Sequence, residues 1–207
     1  FTLSAEGGHI IGNPAAATKV VEYASYTCSH CKQFETDDAP LLKSNYVTKG
    51  KTSFEIRNLV RDPLDLTVAM LARCGGKGRF FGNHRHFMAT KSQWMARAQS
   101  ISAATEALLQ TENYAGFMVG AYREMGLGAF AKQRGITEPQ ALTCLKDPVA
   151  LQKILAMTDK AVGPLKIEGT PAFLVNGKVV HAHDLAELRA HLPKLVLPVK
   201  GNFKMRK

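Results

Sequence analysis

Apolar and polar positions alternate in a few short stretches of the chain and follow a helical period across most of the rest. Lys19-Val20-Val21-Glu22-Tyr23-Ala24 reads as a strand, because branched and aromatic side chains suit a pleated backbone. Thr52 to Val60 is a second strand, with Phe54, Ile56 and Asn58 alternating with Ser53, Glu55 and Arg57. Ala172-Phe173-Leu174-Val175, the turn Asn176-Gly177 and Lys178-Val179-Val180 predict a hairpin, since Asn-Gly suits the positive φ values of a tight turn. His9-Ile10-Ile11, a brief apolar patch in a polar start, predicts an edge strand.

The helical pattern begins at Lys32 and runs to about Val47, with Pro40 expected to bend or break it. From Asp62 onward the period is helical for roughly ninety residues. Asp62-Pro63 is an N-cap followed by a first-turn proline, and Gly75 stops that helix just past Cys74. Thr137-Glu138-Pro139-Gln140 is a capping box, which places Cys144 on the helix it opens. Asp147-Pro148 opens another, with Leu151, Ile154, Leu155, Thr158 and Val162 expected as its stripe. Gly75, Gly76, Gly78 and Gly82 read as punctuation, and shorter helices are expected around 102–134. Asp184 to about Leu197 predicts a closing helix, capped by Asp184 and Glu187, with Leu185, Leu188 and Leu192 on one face. The order is strand–helix–strand, a helical block, then helix–hairpin–helix.

Composition narrows the class. The 207 residues are 45% hydrophobic and 21% charged, ordinary for a globular chain and too apolar for wholesale disorder. No run approaches the roughly 18 apolar residues of a membrane-spanning helix. The formal net charge of +10 can attract anionic partners in general, but it reads first as a solvated basic surface. No basic run is interleaved with aromatics, so no nucleic-acid interface is expected. The densest positive stretch, Lys194, Lys200, Lys204, Arg206 and Lys207, reads as a frayed tail. The Phe1 start without a charged and apolar leader fits a mature export product. Gly75–Gly82 lacks the Gly-Lys-Ser/Thr ending of a phosphate loop, so no nucleotide is assigned.

Chemistry concentrates at Cys28-Ser29-His30-Cys31, where a strand gives way to a helix. Half of a zinc site would need two more close ligands, and Cys74 and Cys144 stand apart while His84/His86 and His181/His183 lack the usual spacing. A zinc-stabilised basic binding module is therefore the minority reading, and no metal is expected. Thiol–disulfide exchange fits better. Cys28 would sit at the positive end of a helix dipole, where unpaired N–H groups favour a thiolate. Cys31, one turn on, would attack a mixed disulfide formed at Cys28, and His30 could favour the thiolate by hydrogen bonding or charge. Glu22 is either a buried carboxylate able to relay a proton to Cys31 or a solvent-facing residue at a sheet edge. Thr170-Pro171 precedes a strand and by itself says little, since most X–Pro bonds are trans.

Taken together, Val21-Glu22-Tyr23-Ala24-Ser25-Tyr26-Thr27-Cys28-Ser29-His30-Cys31, the later Gly169-Thr170-Pro171 and the helices between them resemble DsbA-type thiol:disulfide oxidoreductases. The resemblance implies an α/β thioredoxin fold, a central mixed sheet flanked by helices, over 1–61 and 147–207, with a helical insertion over 62–146. It implies Cys28 as nucleophile, Cys31 as resolving cysteine, Glu22 as the buried acid and a cis Pro171 packed on the pair. The Thr170 backbone would pair with an extended substrate. Ser29 departs from the proline of the best-known members.

The implied activity is oxidation of dithiols in newly secreted proteins by an exported or periplasmic monomer, with the Cys28–Cys31 disulfide as its redox group and no other cofactor. Unfolded or reduced secreted chains would be the substrates, and a DsbB-type quinone-linked membrane protein the reoxidant. An isomerase or reductase of the same fold is the neighbouring alternative. Tyr26, Phe34 and Phe173 are either peptide-binding surface or core. Cys74 and Cys144 are either buried thiols or, as an oxidising compartment favours, a structural disulfide. Closing a loop of about 70 residues would stabilise the fold by roughly 4 kcal/mol.

Overall fold

A computed structural model describes residues 1–195; Leu197 and the basic residues Lys200, Lys204, Arg206 and Lys207 lie outside the described residues. The sheet holds β1 (Thr2–Leu3), β2 (His9–Ile11), β3 (Thr18–Ala24), β4 (Thr52–Asn58), β5 (Ala172–Val175) and β6 (Lys178–Val180), in the spatial order β1-β2-β4-β3-β5-β6. β3 and β4 are parallel, and the other neighbouring pairs are antiparallel. Parallel strands need a crossover connection, and the helical run after Cys28 supplies it. β2 is not the expected edge: the chain folds back through Gly7, at φ 85°, and β1 pairs outside it. At the other end Asn176 and Gly177 turn the β5–β6 hairpin at φ 51° and 81°.

Residues paired directly across strands point to the same face. Glu22 pairs with Ile56 and Phe173, and Val20 with Phe54 and Val175, so these share one face. α1 (Ser29–Gln33) and its continuation cover that face, with the Phe34 ring 4.7 Å from Phe173 and 6.4 Å from Phe54. Tyr26, Phe34 and Phe173 are all buried, so they build the core and not a peptide-binding surface. Pro40 bends the run without breaking it. A wide turn over Phe34–Asp38 lets the Ala39 N–H reach back to the Phe34 carbonyl, and α2 (Ala39–Leu42) then carries Pro40 in its first turn. The opposite sheet face carries a Glu55–Arg57 ion pair at 2.7 Å.

Residues 62–146 hold α3 (Pro63–Arg73), α4 (Phe80–Ala89), α5 (Lys91–Met95), α6 (Ala103–Ala107), α7 (Tyr114–Glu124), α8 (Leu127–Gln133) and α9 (Glu138–Leu145). Asp62 caps α3 by accepting from the Asp65 N–H, and Thr137 and Gln140 form the capping box of α9. Gly82 does not punctuate: it lies inside α4, where a side chain would collide with the Arg134 guanidinium. α10 (Pro148–Val162) buries Ile154, Met157 and Ala161, while Val162 is 55% exposed and Leu151 and Leu155 are half-buried. Ile154 thus keeps its expected place, and toward the C-terminus the stripe falls on Met157 and Ala161 in place of Thr158 and Val162. α11 (Leu185–Leu188) ends in a short turn at Arg189–His191, well before Leu197. Pro193 explains this, because it pushes Leu192 into an extended conformation. Leu185, Leu188 and Leu192 are buried as expected.

Candidate active site

Cys28 is the N-cap of α1, extended at φ −82° and ψ 129°. That conformation turns its sulfur back over the first helical turn, where the Cys31 N–H donates to it across 3.4 Å. From the other side the loop before β5 brings Thr170, and the Cys28 thiol donates to the Thr170 carbonyl at 3.1 Å. The Thr170–Pro171 bond is cis. Four sequence-predicted residues, Cys28, Cys31, Thr170 and Pro171, are therefore gathered at one point.

The two thiols have opposite environments. A hydrogen bond from the Cys31 thiol brings Cys28 down to about 4, and the Thr170 side chain and the main-chain N–H groups of Cys31 and His30 add to it against burial. The Thr170 hydroxyl has no partner while Cys28 is a thiol, so it is free to turn toward the thiolate. Burial pushes Cys31 well above the usual thiol range, reinforced by the Cys28 hydrogen bond and by Glu22. At neutral pH the reduced pair is thus one thiolate and one thiol. His30 acts here through its amide; its side chain is exposed and lines a neighbouring groove.

Glu22 is fully buried, and neither of its carboxylate oxygens has a hydrogen-bond partner. β3 is an interior strand, which removes the edge reading. Burial, with Glu35 and Cys28 adding repulsion against Lys43, raises its pKa well above the carboxylate range. Burial thus favours its protonated form, and its charge bears on Cys31.

Sequence reasoning missed a second buried group. Glu35 follows Cys31 by four residues and faces inward, where Lys43 donates to both its oxygens at 3.0 and 3.3 Å. The i, i+4 spacing from Cys31 was the available signal. His84 is buried 3.8 Å from Glu35, and its Nδ1 pairs with the Tyr26 hydroxyl at 2.9 Å. Asp65 accepts from the Tyr26 and Arg61 main-chain N–H groups at 2.7 and 3.0 Å, tying the active-site loop to the start of the helical block. No spacing along the chain announces Asp65 or His84. Among the described residues no group of three His, Cys, Asp or Glu side chains is placed to hold a metal ion.

Cys74 and Cys144 form a disulfide with Cα atoms 5.7 Å apart, tying the end of α3 to α9. Cys28 and Cys31 are free thiols. Beside Cys28 a groove of about 830 Å³ runs along His30, Gly169, Thr170, Pro171 and Val180 toward the outer strand β6.

A family model described as "Thioredoxin" matches residues 4–194. The chain is similar to the protein-disulfide isomerase of Novosphingobium aromaticivorans, at 34% identity and a TM-score of 0.82, over 90% of this chain and 96% of that one. It is 27% identical to a Rickettsia bellii protein named provisionally as a protein-disulfide oxidoreductase, over 96% of this chain and 68% of the relative. It spans only about half the length of further rickettsial relatives, 54% for that of Rickettsia typhi. The Wolbachia pipientis alpha-DsbA1 structure, 23% identical with a TM-score of 0.64 over 87% of this chain and 82% of that one, shares the fold.

Proposed function

The chain belongs to the thioredoxin family, with the architecture of its DsbA-type members, and from that premise we propose that it is an exported dithiol oxidase acting on newly secreted proteins. The observation that carries the reading is the Cys28 sulfur held between the Cys31 N–H and the Thr170 carbonyl, with a pKa of about 4. A stable thiolate favours the reduced form over the disulfide and so makes the oxidised pair an acceptor of electrons.

The steps follow from the two environments. A thiolate of a reduced, unfolded chain attacks the Cys28 sulfur of the Cys28–Cys31 disulfide. The S–S bond breaks, and Cys31 leaves as a thiolate. Its high pKa makes it take a proton, and the buried protonated Glu22 is the donor. A second substrate thiolate then attacks the substrate sulfur of the mixed disulfide and releases Cys28, a good leaving group because its thiolate is stable. The substrate gains a disulfide and the enzyme holds two more electrons. A DsbB-type quinone-linked membrane protein would accept these electrons. The Cys74–Cys144 disulfide supports an oxidising compartment.

A second reading, disulfide isomerase, is favoured by the name of the Novosphingobium relative. A glutathione redox titration of Cys28/Cys31, followed by assays on a reduced and on a scrambled protein, separates the two. An oxidase has a couple more oxidising than glutathione and forms disulfides stoichiometrically. A strongly reducing couple would overturn the proposal, and faster reshuffling than oxidation would shift it to the isomerase.

A further inference from the structure

The groove beside Cys28 has an apolar floor of Ile167, Pro171, Ala172 and Val180, but its rim is charged. Among the described residues the lining holds one acid, Glu168, and one lysine, Lys166, beside the histidines His30, His181 and His183. Lys166 is exposed and makes no ion pair among the described residues. Its backbone is left-handed, φ 53°, fixed between two neighbouring hydrogen bonds: Leu165 N–H to the Lys160 carbonyl and Ile167 N–H to the Ala161 carbonyl. Glycine takes that conformation without cost, whereas a side chain there is disfavoured. Lys166 is thus a lining residue of the groove whose backbone is held in a conformation that side chains seldom adopt, with its charge unpaired among the described residues.

The opposite side of the cysteine pair is cationic as well. Lys32 follows Cys31 directly, and its Nζ donates to Ser92 Oγ at 2.9 Å across to α5. Lys91, on the same short helix, lies in the fields of Cys28 and Cys31 and of its fellow cations Lys32 and Arg61. A peptide approaching Cys28 thus meets Lys32 and Lys91 on one flank and, on the groove side, the exposed Lys166 with Glu168 two residues on.

We propose that Lys166 makes this groove selective for extended cysteine-bearing segments that carry a carboxylate side chain beside the reacting cysteine. The inference rests on the dithiol-oxidase reading and names its substrate class. The apolar floor takes the segment's intervening side chains, and Lys166 takes the carboxylate. Lys32, Lys91 and Arg61 add a longer-range attraction that raises the encounter rate and is screened by salt.

The test uses three dithiol peptides identical except for Asp, Asn or Lys next to one cysteine. Second-order rates of exchange with the oxidised protein are measured at low salt and at about 0.5 M salt. The Asp peptide is expected to react about fivefold faster than the Lys peptide at low salt, and the ratio to shrink at high salt. K166G should cut the ratio about threefold without lowering the melting temperature, since glycine is at ease at that φ, and K166R should preserve it. Equal rates for Asp and Lys peptides, or a ratio unmoved by K166G, would overturn the selectivity while leaving the oxidase reading intact. Failure to oxidise even the Asn peptide would remove the oxidase reading itself, and the selectivity with it.

Discussion

The Cys28 sulfur lies 3.1 Å from the carbonyl oxygen of Thr170, 142 positions later in the chain. Nothing local could produce this contact. It requires β5 to pair with β3, placing Phe173 opposite Glu22, so that the loop entering β5 passes over the N-terminus of the helix leaving β3. Cys28, the carbonyl that accepts from it and the buried Glu22 are thereby fixed by one strand pairing.

The acidity of Cys28 gives a pH signature. Alkylation of the reduced protein should stay near its plateau from neutral pH down to about 5 and fall by half near pH 4. A thiol depressed from 9.0 to about 4 stabilises the reduced fold fully above the unfolded value of 9.0, and the contribution is lost progressively as pH falls from there through the folded value of about 4. The disulfide form has no such titration. The melting temperature of the reduced protein minus that of the oxidised protein should therefore decrease from pH 7 to pH 4. A pH-independent difference, or alkylation with the profile of free cysteine, contradicts the assigned thiolate.

Replacing Glu22 by Gln separates catalysis from stability. Oxidation of a dithiol substrate should slow about tenfold to a hundredfold, because Cys31 loses its proton donor on departure. Stability should move the other way. The buried carboxyl has a folded pKa above its unfolded one, so wild type loses stability as pH rises through the unfolded value of about 4.5 toward the folded one. E22Q removes that loss and should melt a few degrees higher at pH 7, with the gain vanishing below about pH 4. Unchanged turnover would exclude Glu22 from the proton transfer.

The sequence carried the site where chemistry and local structure coincide. Cys28 and Cys31 at a strand–helix junction, Asn176-Gly177 at positive φ, and the Asp62 and Thr137 caps are local signals whose physics needs few distant contacts. Glu22 stayed ambiguous because its burial depends on β5 closing the far side of β3, a pairing with no local signature. His9-Ile10-Ile11 looked like an edge because Thr2-Leu3 is too short to read as a strand. The α10 stripe held at Ile154 but slipped by one position toward the C-terminus: Met157 and Ala161 face inward, while larger Val162 points to water. Glu35 and Lys43 were missed because the wide turn at Phe34–Asp38 shifts the helical phase between them.

The Cys74–Cys144 disulfide should be separable from catalysis. It closes a loop with a sequence separation of 70 at the α3–α9 junction. The C74A/C144A double variant should lose about 2–4 kcal/mol in urea unfolding and keep the Cys28 alkylation profile. Loss of the acidic Cys28 in this variant would mean that the helical block reaches the active site through that bond.

Glu35 and Lys43 form a buried pair whose two members should not be equivalent to remove. Lys43 is 21% exposed on its side chain and Glu35 only 1%, so the carboxylate depends on the lysine more than the reverse. Burial already raises the Glu35 pKa, and Lys43 opposes that rise. K43M leaves the carboxylate without its hydrogen-bonding cation and should destabilise the protein by about 2–4 kcal/mol at pH 7. The loss should shrink below about pH 4, where the carboxyl is protonated folded or unfolded. E35Q in wild type should cost less, because it removes the charge that burial penalises. Adding E35Q to K43M should then recover part of the loss, a coupling of about 1 kcal/mol or more in a double-mutant cycle. Lys43 also lowers the pKa of Glu22, so K43M should make Glu22 harder to ionise, and the stability gained by E22Q should start at the same pH but keep growing to a higher pH in that background. Additive effects across the cycle would mean that solvent, and not Lys43, carries the Glu35 charge.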